Sequence, residues 1–318
     1  MFTTVELLRA GLFCSAIVLV YVLTAWWCVE RLRAREPKGR ADRVFRSRWT
    51  GGALLVAAGG GLLCILYGIL IEPRRLTVTE YRIETHKLPE GAQVRIVHLA
   101  DLHVREHGPR ERRLPELVRS LKPDLILYSG DFFAGGAEVE PIVVGLLRSW
   151  PVPQFACEGN LDRLADLGKT TRDAGVTLLN GATARMTLGR ADLSITGLVS
   201  GAEAHMPRLL ARLPDATYNV VLYHHPEGFS KTWGTPSDLM LAGHTHGGQV
   251  RLPWYGALVT LDRYGKRWES GLYEERGVKL IVSRGIGCEP NAPELRFLCP
   301  PEIIVIELAG TRPQRLSG

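Results

Sequence analysis

The sequence predicts an α/β domain preceded by two membrane-spanning helices. Two long charge-free runs lie near the N-terminus, at residues 10–28 and 50–71. From residue 95 onward, short apolar runs typical of buried strands alternate with helix-like stretches. Polar residues follow several of these strand-like runs directly. The length of 318 residues and the hydrophobic content of 46% suffice for one large domain with an appendage.

The two apolar runs are long enough to cross a bilayer as helices. They contain 19 and 22 residues, and a spanning helix needs about 20. A cleaved signal peptide is the alternative for the first run, but Glu6 lies in its leading segment and no small-residue cleavage site follows Trp27. We therefore predict helices over residues 10–28 and 50–71, within a hairpin that covers residues 1–75.

The loop at residues 29–49 is strongly basic. By the positive-inside rule this loop faces the cytoplasm, so both chain ends and the following domain lie outside. A patch that touches anionic lipid is an alternative role with the same orientation. The predicted location is the bacterial inner membrane, with an extracytoplasmic domain. Because much of the net charge of +6 sits in this loop, we expect no nucleic-acid partner.

The six cysteines are scattered without a Cys-x-x-Cys pair, which excludes a disulfide framework or a zinc-thiolate module.

The elements of the α/β region are predicted from its apolar runs and from the glycines that interrupt them. Helices are predicted near residues 111–120, 139–149 and 207–213. Strands are predicted at residues 95–100, 124–129, 154–157, 176–179, 185–188, 193–196, 219–223, 249–252, 258–261, 279–283 and 303–308.

Carboxylate, imidazole and amide side chains collect at the predicted strand ends. Each alone has an ordinary explanation as a helix cap, a turn residue or a buried histidine, but their conjunction favours a metal site. Oxygen and nitrogen donors without thiolate suit Mn, Fe or Zn, and seven donors suit two ions. Two ions can hold a phosphate and generate a hydroxide nucleophile. The seven donors are Asp101, His103, Asp131, Asn160, His224, His244 and His246.

The order of these motifs resembles the calcineurin-like metallophosphoesterases, whose signature is D-x-H, G-D, G-N-H-(D/E), H and G-H-x-H. The resemblance covers about residues 95–308. It is greatest to the membrane-anchored bacterial branch, through GHTHGGQVRLP at residues 243–253 and SRGIG at residues 283–287. It implies a four-layer αββα sandwich of two mixed sheets with helices outside. We assign this domain to residues 76–309 and a tail to residues 310–318.

The resemblance also implies a role for each donor. The first metal would be bound by Asp101, His103 and His246. The second would be bound by Asn160, His224 and His244, with Asp131 as a catalytic bridge between the two. Asn160 would also contact the substrate. Arg284 is expected either to contact the phosphate or to form a structural ion pair, and His225 either to approach the substrate or to be packed.

One position departs from the family pattern. The family's asparagine is followed by a histidine that assists the leaving group, whereas Leu161 follows Asn160 here. Loss of a positioned acid costs about 10²–10⁴-fold in rate unless the leaving group is good. A pyrophosphate bond has such a leaving group. The candidate substitutes for the histidine are His107, His225 and Asp162.

The sequence thus predicts a membrane-bound, metal-dependent phosphoesterase. Its substrate would be a phosphodiester, a phosphomonoester or a pyrophosphate, in a small molecule or a lipid-linked one. Some UDP-2,3-diacylglucosamine hydrolases of lipid A synthesis resemble this pattern, since they also replace the histidine. Their nucleotide substrate is cytoplasmic, which conflicts with the predicted orientation. A catalytically weak metal-binding membrane protein is the alternative from another class.

Overall fold

The computed structural model describes residues 4–33 and 36–312. It begins with two long helices, α1 (Thr4–Leu32) and α3 (Arg48–Leu70), and the short helix α2 (Arg40–Phe45) lies between them. Both long helices are long and apolar enough to cross a membrane, and few of their residues are buried. Helix α1 extends beyond the predicted residues 10–28 at both ends, whereas α3 begins two residues before the predicted residues 50–71 and ends one residue before their end. The predicted basic loop is partly helical.

The two long helices pack as an antiparallel pair. Tyr21 donates its hydroxyl to the carbonyl of Ala58 at 3.0 Å, and the Trp27 ring covers Gly51 so closely that a β-carbon there would lie 1.9 Å from it. Ser47 caps α3 by accepting the backbone N–H of Thr50 at 3.1 Å. The N-terminus of α1 and the C-terminus of α3 therefore lie at the same end of the pair, next to the following domain.

That domain contains two six-stranded mixed sheets. The first sheet has the order β1, β14, β2, β3, β4, β5, and the second has the order β12, β13, β9, β8, β7, β6. In the first, β14 and β2 are antiparallel and the other pairs are parallel. The strands of the first sheet are β1 (Thr77–Thr85), β2 (Gln93–Leu99), β3 (Leu125–Tyr128), β4 (Gln154–Ala156), β5 (Thr177–Leu178) and β14 (Glu302–Gly310).

The second sheet is parallel in its centre and antiparallel at both margins. A separate two-stranded hairpin, β10 (Arg251–Leu252) with β11 (Gly256–Ala257), follows β9. The strands of the second sheet are β6 (Ala182–Leu188), β7 (Ala191–Gly197), β8 (Tyr218–Leu222), β9 (Leu239–Ala242), β12 (Gly271–Glu275) and β13 (Val278–Val282).

The sheets pack face to face around an apolar layer that includes Ile96 and Leu127 from the first sheet and Val220 and Leu241 from the second. Helices α4 (Pro109–Ser120), α5 (Glu140–Leu147) and α6 (Leu167–Ala174) cover the outer face of the first sheet. Helix α7 (Met206–Leu210) covers the second. The predicted αββα sandwich is confirmed.

Several element predictions need correction. The strand predicted at residues 258–261 is a loop, in which Thr260 bonds to α1 and Leu261 has a φ of +60°. Strands β1 and β12 and helix α6 were not predicted, because their sequences alternate or mix polar and apolar residues at the margins of the fold. Strand β14 extends to Gly310, one residue into the predicted tail, and residues 313–318 of that tail lie outside the described residues.

Candidate metal centre

The seven predicted donors come together at the carboxyl ends of parallel strands from both sheets. Strand β2 is followed by Asp101 and His103, and β3 by Asp131. Strands β4, β8 and β9 lead to Asn160, to His224 and to the pair His244 and His246. Because the carboxyl ends of parallel strands meet at one edge of a sheet, residues up to 145 positions apart in the sequence lie close together here.

One group of donors consists of Asp101, His103 and His246, all buried, with one ligand atom from each within 4.8 Å of the others. The Nε2 atoms of the two histidines are 3.1 Å apart, and His246 Nε2 is 3.8 Å from Asp101 Oδ1. This is the set that the sequence predicts for the first metal.

A second group with the same spacing consists of His224, His225 and His244. The ring centroids of His225 and His244 are 4.1 Å apart, and His225 Nε2 lies 2.6 Å from the Ser200 hydroxyl oxygen. The sequence predicts Asn160 as the third ligand here. Its Oδ1 atom is buried and has no hydrogen-bond partner among the described residues, so it is available to a ligand.

Asp131 lies between the two groups. Its Oδ2 atom is 3.2 Å from His224 Nε2 and 3.7 Å from His103 Nε2. Its other oxygen accepts the backbone N–H of Leu161 at 2.8 Å. One carboxylate oxygen therefore faces a histidine of each group, which is the arrangement expected of a bridging ligand.

Backbone carbonyls orient three of the histidines. His103 Nδ1 lies 3.3 Å from the Phe133 carbonyl and His224 Nδ1 lies 2.8 Å from the Ser129 carbonyl. His244 uses its Nε2 atom in the same way, at 3.3 Å from the Leu261 carbonyl. Because a carbonyl only accepts, the facing ring nitrogen carries the proton, and the opposite nitrogen is left bare for a metal.

His246 has a different neighbour. Its Nδ1 atom is 3.3 Å from the guanidinium of Arg296, which is fully buried and also donates to the carbonyls of Arg284 and Cys299. Burial lowers the pKa of His246 well below its usual value, and the nearby His103 and Arg296 lower it further. The imidazole therefore stays neutral. Because a guanidinium only donates, Nδ1 accepts this bond and the proton of the neutral ring lies on Nε2, where a metal ion would have to replace it.

The charges of the site depend on one another. Burial alone would lower the pKa of His224, but the carboxylates of Asp131 and Asp101 raise it to about 10. Burial raises the pKa of Asp101 to about 7, and Asp131 adds to that rise. Burial would also raise the pKa of Asp131, but His224 and His103 hold it well below its usual range. The carboxylates that raise the pKa of His224 attract positive charge, so the site favours cations.

Unsatisfied atoms provide a direct test of whether metals fit. Buried polar atoms are almost always hydrogen-bonded. Among the described residues, however, Asp101 Oδ2 and Asn160 Oδ1 are buried without a hydrogen bond. Both belong to predicted ligands, and the ligand set contains the oxygen and nitrogen donors that Mn, Fe and Zn accept. The residues present thus fit two divalent ions.

The loops that carry the predicted ligands have unusual backbone conformations. Five predicted ligands that are not glycine have positive φ, namely Asp101 (50°), His103 (41°), Asp131 (59°), His244 (70°) and His246 (51°). Such conformations cost about 1–3 kcal/mol each and cluster at functional sites. Close glycines are also required, because a β-carbon at Gly159 would lie 2.1 Å from Asp131 Oδ1 and one at Gly243 would lie 2.3 Å from Asp101 Oδ2.

The remaining predicted residues differ in placement. The Asp162 carboxylate is buried and accepts the backbone N–H groups of Gly159, Asp131 and Phe132 at 2.6–2.9 Å. This geometry fits a positioning residue better than the predicted acid. Arg284 forms an ion pair with Glu302 at 2.8 Å. Of its two predicted roles, this contact is the structural one. His107 lies in an exposed stretch of the loop after β2.

Several residues that support the ligands could not be predicted from the sequence. The carbonyls of Ser129, Phe133 and Leu261 orient ligands, and a backbone carbonyl has no signature in a sequence. Arg296 stood inside a segment resembling the family, yet no role was assigned to it. A buried arginine surrounded by carbonyls and a ligand imidazole is recognisable only after folding.

Comparison with known proteins agrees with this geometry. The family model described as calcineurin-like phosphoesterase matches residues 94–248. The uncharacterized metallophosphoesterase YkuE of Bacillus subtilis is 31% identical over 276 residues, which cover 82% of this chain and 93% of that protein. The phosphodiesterase YaeI of Escherichia coli is 33% identical over 252 residues, which cover 74% of this chain and 90% of that protein.

A third relative has a more specific name. The UDP-2,3-diacylglucosamine pyrophosphatase LpxG of Chlamydia muridarum is 25% identical over 303 residues, which cover 74% of this chain and 90% of that protein. The matches to YkuE and YaeI extend over most of each protein, well beyond the ligand motifs. On this likeness and on the two ligand groups, the chain belongs to the calcineurin-like phosphoesterase family and is a hydrolase of phosphoester bonds.

Proposed function

We propose that the protein is a membrane-bound phosphoesterase with a dinuclear centre. The observation that carries this proposal is Asp131 Oδ2, which faces His224 of one ligand group and His103 of the other. The first metal is assigned to Asp101, His103 and His246. The second would be held by Asn160, His224 and His244, with His225 next to them in the second group, and Asp131 would be shared between the two ions.

When bound, two divalent ions polarise the phosphoryl oxygens and lower the pKa of water enough to supply a nucleophile near neutral pH. The protein fixes the geometry in which this chemistry occurs. Carbonyl partners hold three imidazoles in the metal-binding tautomer. The Leu161 N–H holds Asp131 through Oδ1, the carboxylate oxygen other than the one that faces His224 and His103. Asn160 has a free buried oxygen, and we assign it to the second metal and the substrate.

This chain differs from its family at the residue that would assist the leaving group. Leu161 cannot donate a proton, and both oxygens of Asp162 are occupied by backbone N–H groups. His225 remains as the titratable side chain beside the second group, but its Nε2 faces Ser200. We therefore infer a substrate whose leaving group departs without strong protonation, as in a pyrophosphate or an activated phosphodiester.

The membrane assignment rests on the helical hairpin. Its two helices expose large apolar side chains such as Val18, Leu63 and Val56, with 59%, 68% and 77% of their surface accessible. From the positive-inside rule we infer that the basic loop between them faces the cytoplasm of a bacterium and that the phosphoesterase domain lies on the other side of the inner membrane. The basic excess belongs mainly to that loop, so we propose a phosphorylated small molecule or lipid as the substrate, and no nucleic acid.

A second candidate is hydrolysis of UDP-2,3-diacylglucosamine. LpxG of Chlamydia muridarum carries that activity in its name and aligns with most of this chain. The missing histidine at Leu161 also suits a pyrophosphate substrate. The inferred orientation argues against it, because a nucleotide-linked substrate of this kind is cytoplasmic.

Activity is tested with the purified full-length chain, Mn²⁺ and bis-p-nitrophenyl phosphate. We expect metal-dependent release of p-nitrophenol that Asp131→Asn reduces by about 10³-fold or more, because the bridging charge is lost. Release that is absent, or equal in Asp131→Asn, would contradict the enzyme and favour the metal-binding alternative.

Orientation is tested separately with a reporter fused after the C-terminus. Alkaline phosphatase folds into an active enzyme outside the cytoplasm, whereas green fluorescent protein exported in unfolded form is dark there. Active phosphatase and dark fluorescent protein are expected. A bright fluorescent fusion would reverse the orientation and favour the UDP-2,3-diacylglucosamine substrate.

A further inference from the structure

Two neighbouring loops expose apolar side chains at the end of the domain next to the hairpin. The tip of the β10–β11 hairpin carries Trp254 and Tyr255, whose surfaces are 104% and 42% exposed. The segment before β14 carries Phe297 and Leu298, and Leu298 is 46% exposed. We call these four residues the aromatic face. An exposed apolar cluster of this kind marks an interaction surface.

Backbone bonds join the two loops into one unit. The N–H of Phe297 donates to the Gln249 carbonyl at 2.8 Å, and the N–H of Arg251 donates to the Phe297 carbonyl at 2.9 Å. Val250 and Phe297 also form an isolated parallel bridge. The aromatic face is therefore held rigidly by the same segment that follows the metal ligand His246.

Contacts with α3 show how far along the apolar run at residues 50–71 the aromatic face lies. The N–H of Arg296 donates to the Gly68 carbonyl at 3.0 Å, and the Tyr67 and Phe297 rings meet edge to face at 6.3 Å. Tyr67 lies four residues inside the end of the charge-free run at residues 50–71. At 1.5 Å per residue this is about 6 Å inside the end of the apolar stretch.

Contacts with α1 independently place the aromatic face at the same end of the hairpin. The guanidinium of Arg9 lies 5.8 Å from the centre of the Tyr255 ring, and Arg9 directly precedes the charge-free run at residues 10–28. The Lys266 ammonium lies 3.8 Å from the same ring. Two cations beside an aromatic ring, at the boundary of a spanning segment, match the headgroup layer of a bilayer with anionic lipid.

We propose that the aromatic face inserts into the headgroup layer of the leaflet on the side of the membrane where the phosphoesterase domain lies. This inference rests on the proposed membrane anchorage and deepens it, since it makes the phosphoesterase domain itself a membrane-contacting surface. Trp254 is the leading residue, because tryptophan favours the bilayer interface and this one is fully exposed at a hairpin tip.

The position of the face specifies a substrate class. Arg296 contacts the ligand His246 and is followed directly by Phe297 of the face. The metal centre therefore lies directly behind a surface held at the level of lipid headgroups. The fitting substrate is a lipid whose headgroup contains the phosphoester, hydrolysed while its acyl chains remain in the bilayer.

The test measures how deeply Trp254 enters the membrane. The full-length protein is reconstituted into vesicles of phosphatidylcholine and phosphatidylglycerol with bromine near either the carbonyl end or the methyl end of the acyl chains, since bromine quenches tryptophan fluorescence on contact. The emission lost in Trp254→Phe isolates the contribution of Trp254. Trp233→Phe is the matched control, because Trp233 packs against Phe229 on the outer side of the second sheet.

We expect the Trp254 component to be quenched by bromine near the carbonyl end and less by bromine near the methyl end, while the Trp233 component is quenched by neither. A Trp254 component that bromine leaves unquenched overturns the proposal. If that component is accessible to aqueous iodide, the face is open to water, and if it is protected, another protein or a second copy covers it. Unchanged melting temperatures and metal contents show that both variants are folded.

Two measurements separate this proposal from the proposed function. Flotation of the protein with the vesicles tests the anchorage. A chain that does not float overturns both the proposed membrane-bound function and the insertion of the aromatic face. Release of p-nitrophenol from bis-p-nitrophenyl phosphate by the wild-type protein tests the enzyme. Its absence would contradict the phosphoesterase while leaving the quenching result to decide the aromatic face.

Discussion

Glu6 and Thr260, 254 positions apart, are joined by two hydrogen bonds of 2.8 Å, in which the backbone N–H and the hydroxyl of Thr260 donate to the Glu6 carboxylate. Both residues are buried. The next residue, Leu261, accepts from His244 Nε2 at 3.3 Å. The first turn of α1 thus anchors the loop whose carbonyl orients a predicted metal ligand.

Replacing Glu6 should therefore weaken both the fold and the metal centre. In Glu6→Ala the buried Thr260 N–H loses its partner, which costs about 1–3 kcal/mol of unfolding free energy. We also expect weaker binding of one metal equivalent, because the Leu261 carbonyl is no longer held in place. Thermal unfolding and metal titration of the detergent-solubilised chain measure the two effects.

Two further variants control this experiment. Glu6→Gln keeps one acceptor oxygen and should recover much of the loss. Glu30→Ala removes a carboxylate from the opposite end of α1, where it pairs with Arg33, and should leave metal binding unchanged. Equal metal affinity in Glu6→Ala and the wild type would show that the hairpin does not support the site.

The two histidines of the G-H-x-H motif should serve different metals. His246 lies with Asp101 and His103, whereas His244 lies with His224 and His225. After removal of metal with a chelator, we expect the wild-type chain to bind two equivalents of Mn²⁺. His244→Ala and His246→Ala should each bind one with unchanged affinity for the other site. Loss of both equivalents in either variant would indicate a single inseparable site.

Restoring the family histidine should broaden the substrate range. Leu161→His keeps the backbone N–H that holds Asp131 and adds a side chain able to protonate a leaving group. General acid catalysis contributes about 10²–10⁴-fold, so we expect a gain of about 10-fold or more for alkyl phosphodiesters and little change for p-nitrophenyl esters. Leu161→Gln provides a polar control that does not titrate, and an equal gain in that variant would exclude proton donation.

Asp162→Asn separates a positioning role from an acid role. Asparagine offers one acceptor oxygen to a pocket where a carboxylate now accepts three N–H groups. We expect lower stability, by about 1–3 kcal/mol, and an equal loss of kcat on substrates with good and poor leaving groups. A loss confined to poor leaving groups would instead identify Asp162 as the acid.

Much of the metal centre could be predicted because its ligands follow buried parallel strands. Strands such as β3 and β8 are fully buried and mostly apolar, and a polar ligand follows each of them closely. Marginal elements were harder to predict. Strand β1, with the sequence TVTEYRIET, lies at the edge of its sheet and is partly exposed, so its pattern is mixed.

The interactions that support the ligands could not be predicted from the sequence, and the reason is physical. Residues 258–261 have the apolar character of a strand, yet their backbone is used by Glu6 and His244 rather than by a sheet. The pairing of Glu6 with Thr260 depends on where α1 docks, which no local pattern encodes. Asp162 follows the expected motif closely in sequence, but its function depends on the backbone N–H groups that surround it.

The left-handed backbone at Asp101, His103, Asp131, His244 and His246 has a consequence for metal selection. These conformations are imposed by the strands, loops and glycines around them, so the coordination geometry is set by folding rather than by the ion. A preformed site selects its ion by geometry and donor type, together with metal availability, rather than by raw affinity. An ion that needs a different arrangement of ligands would have to distort these strained loops in order to bind.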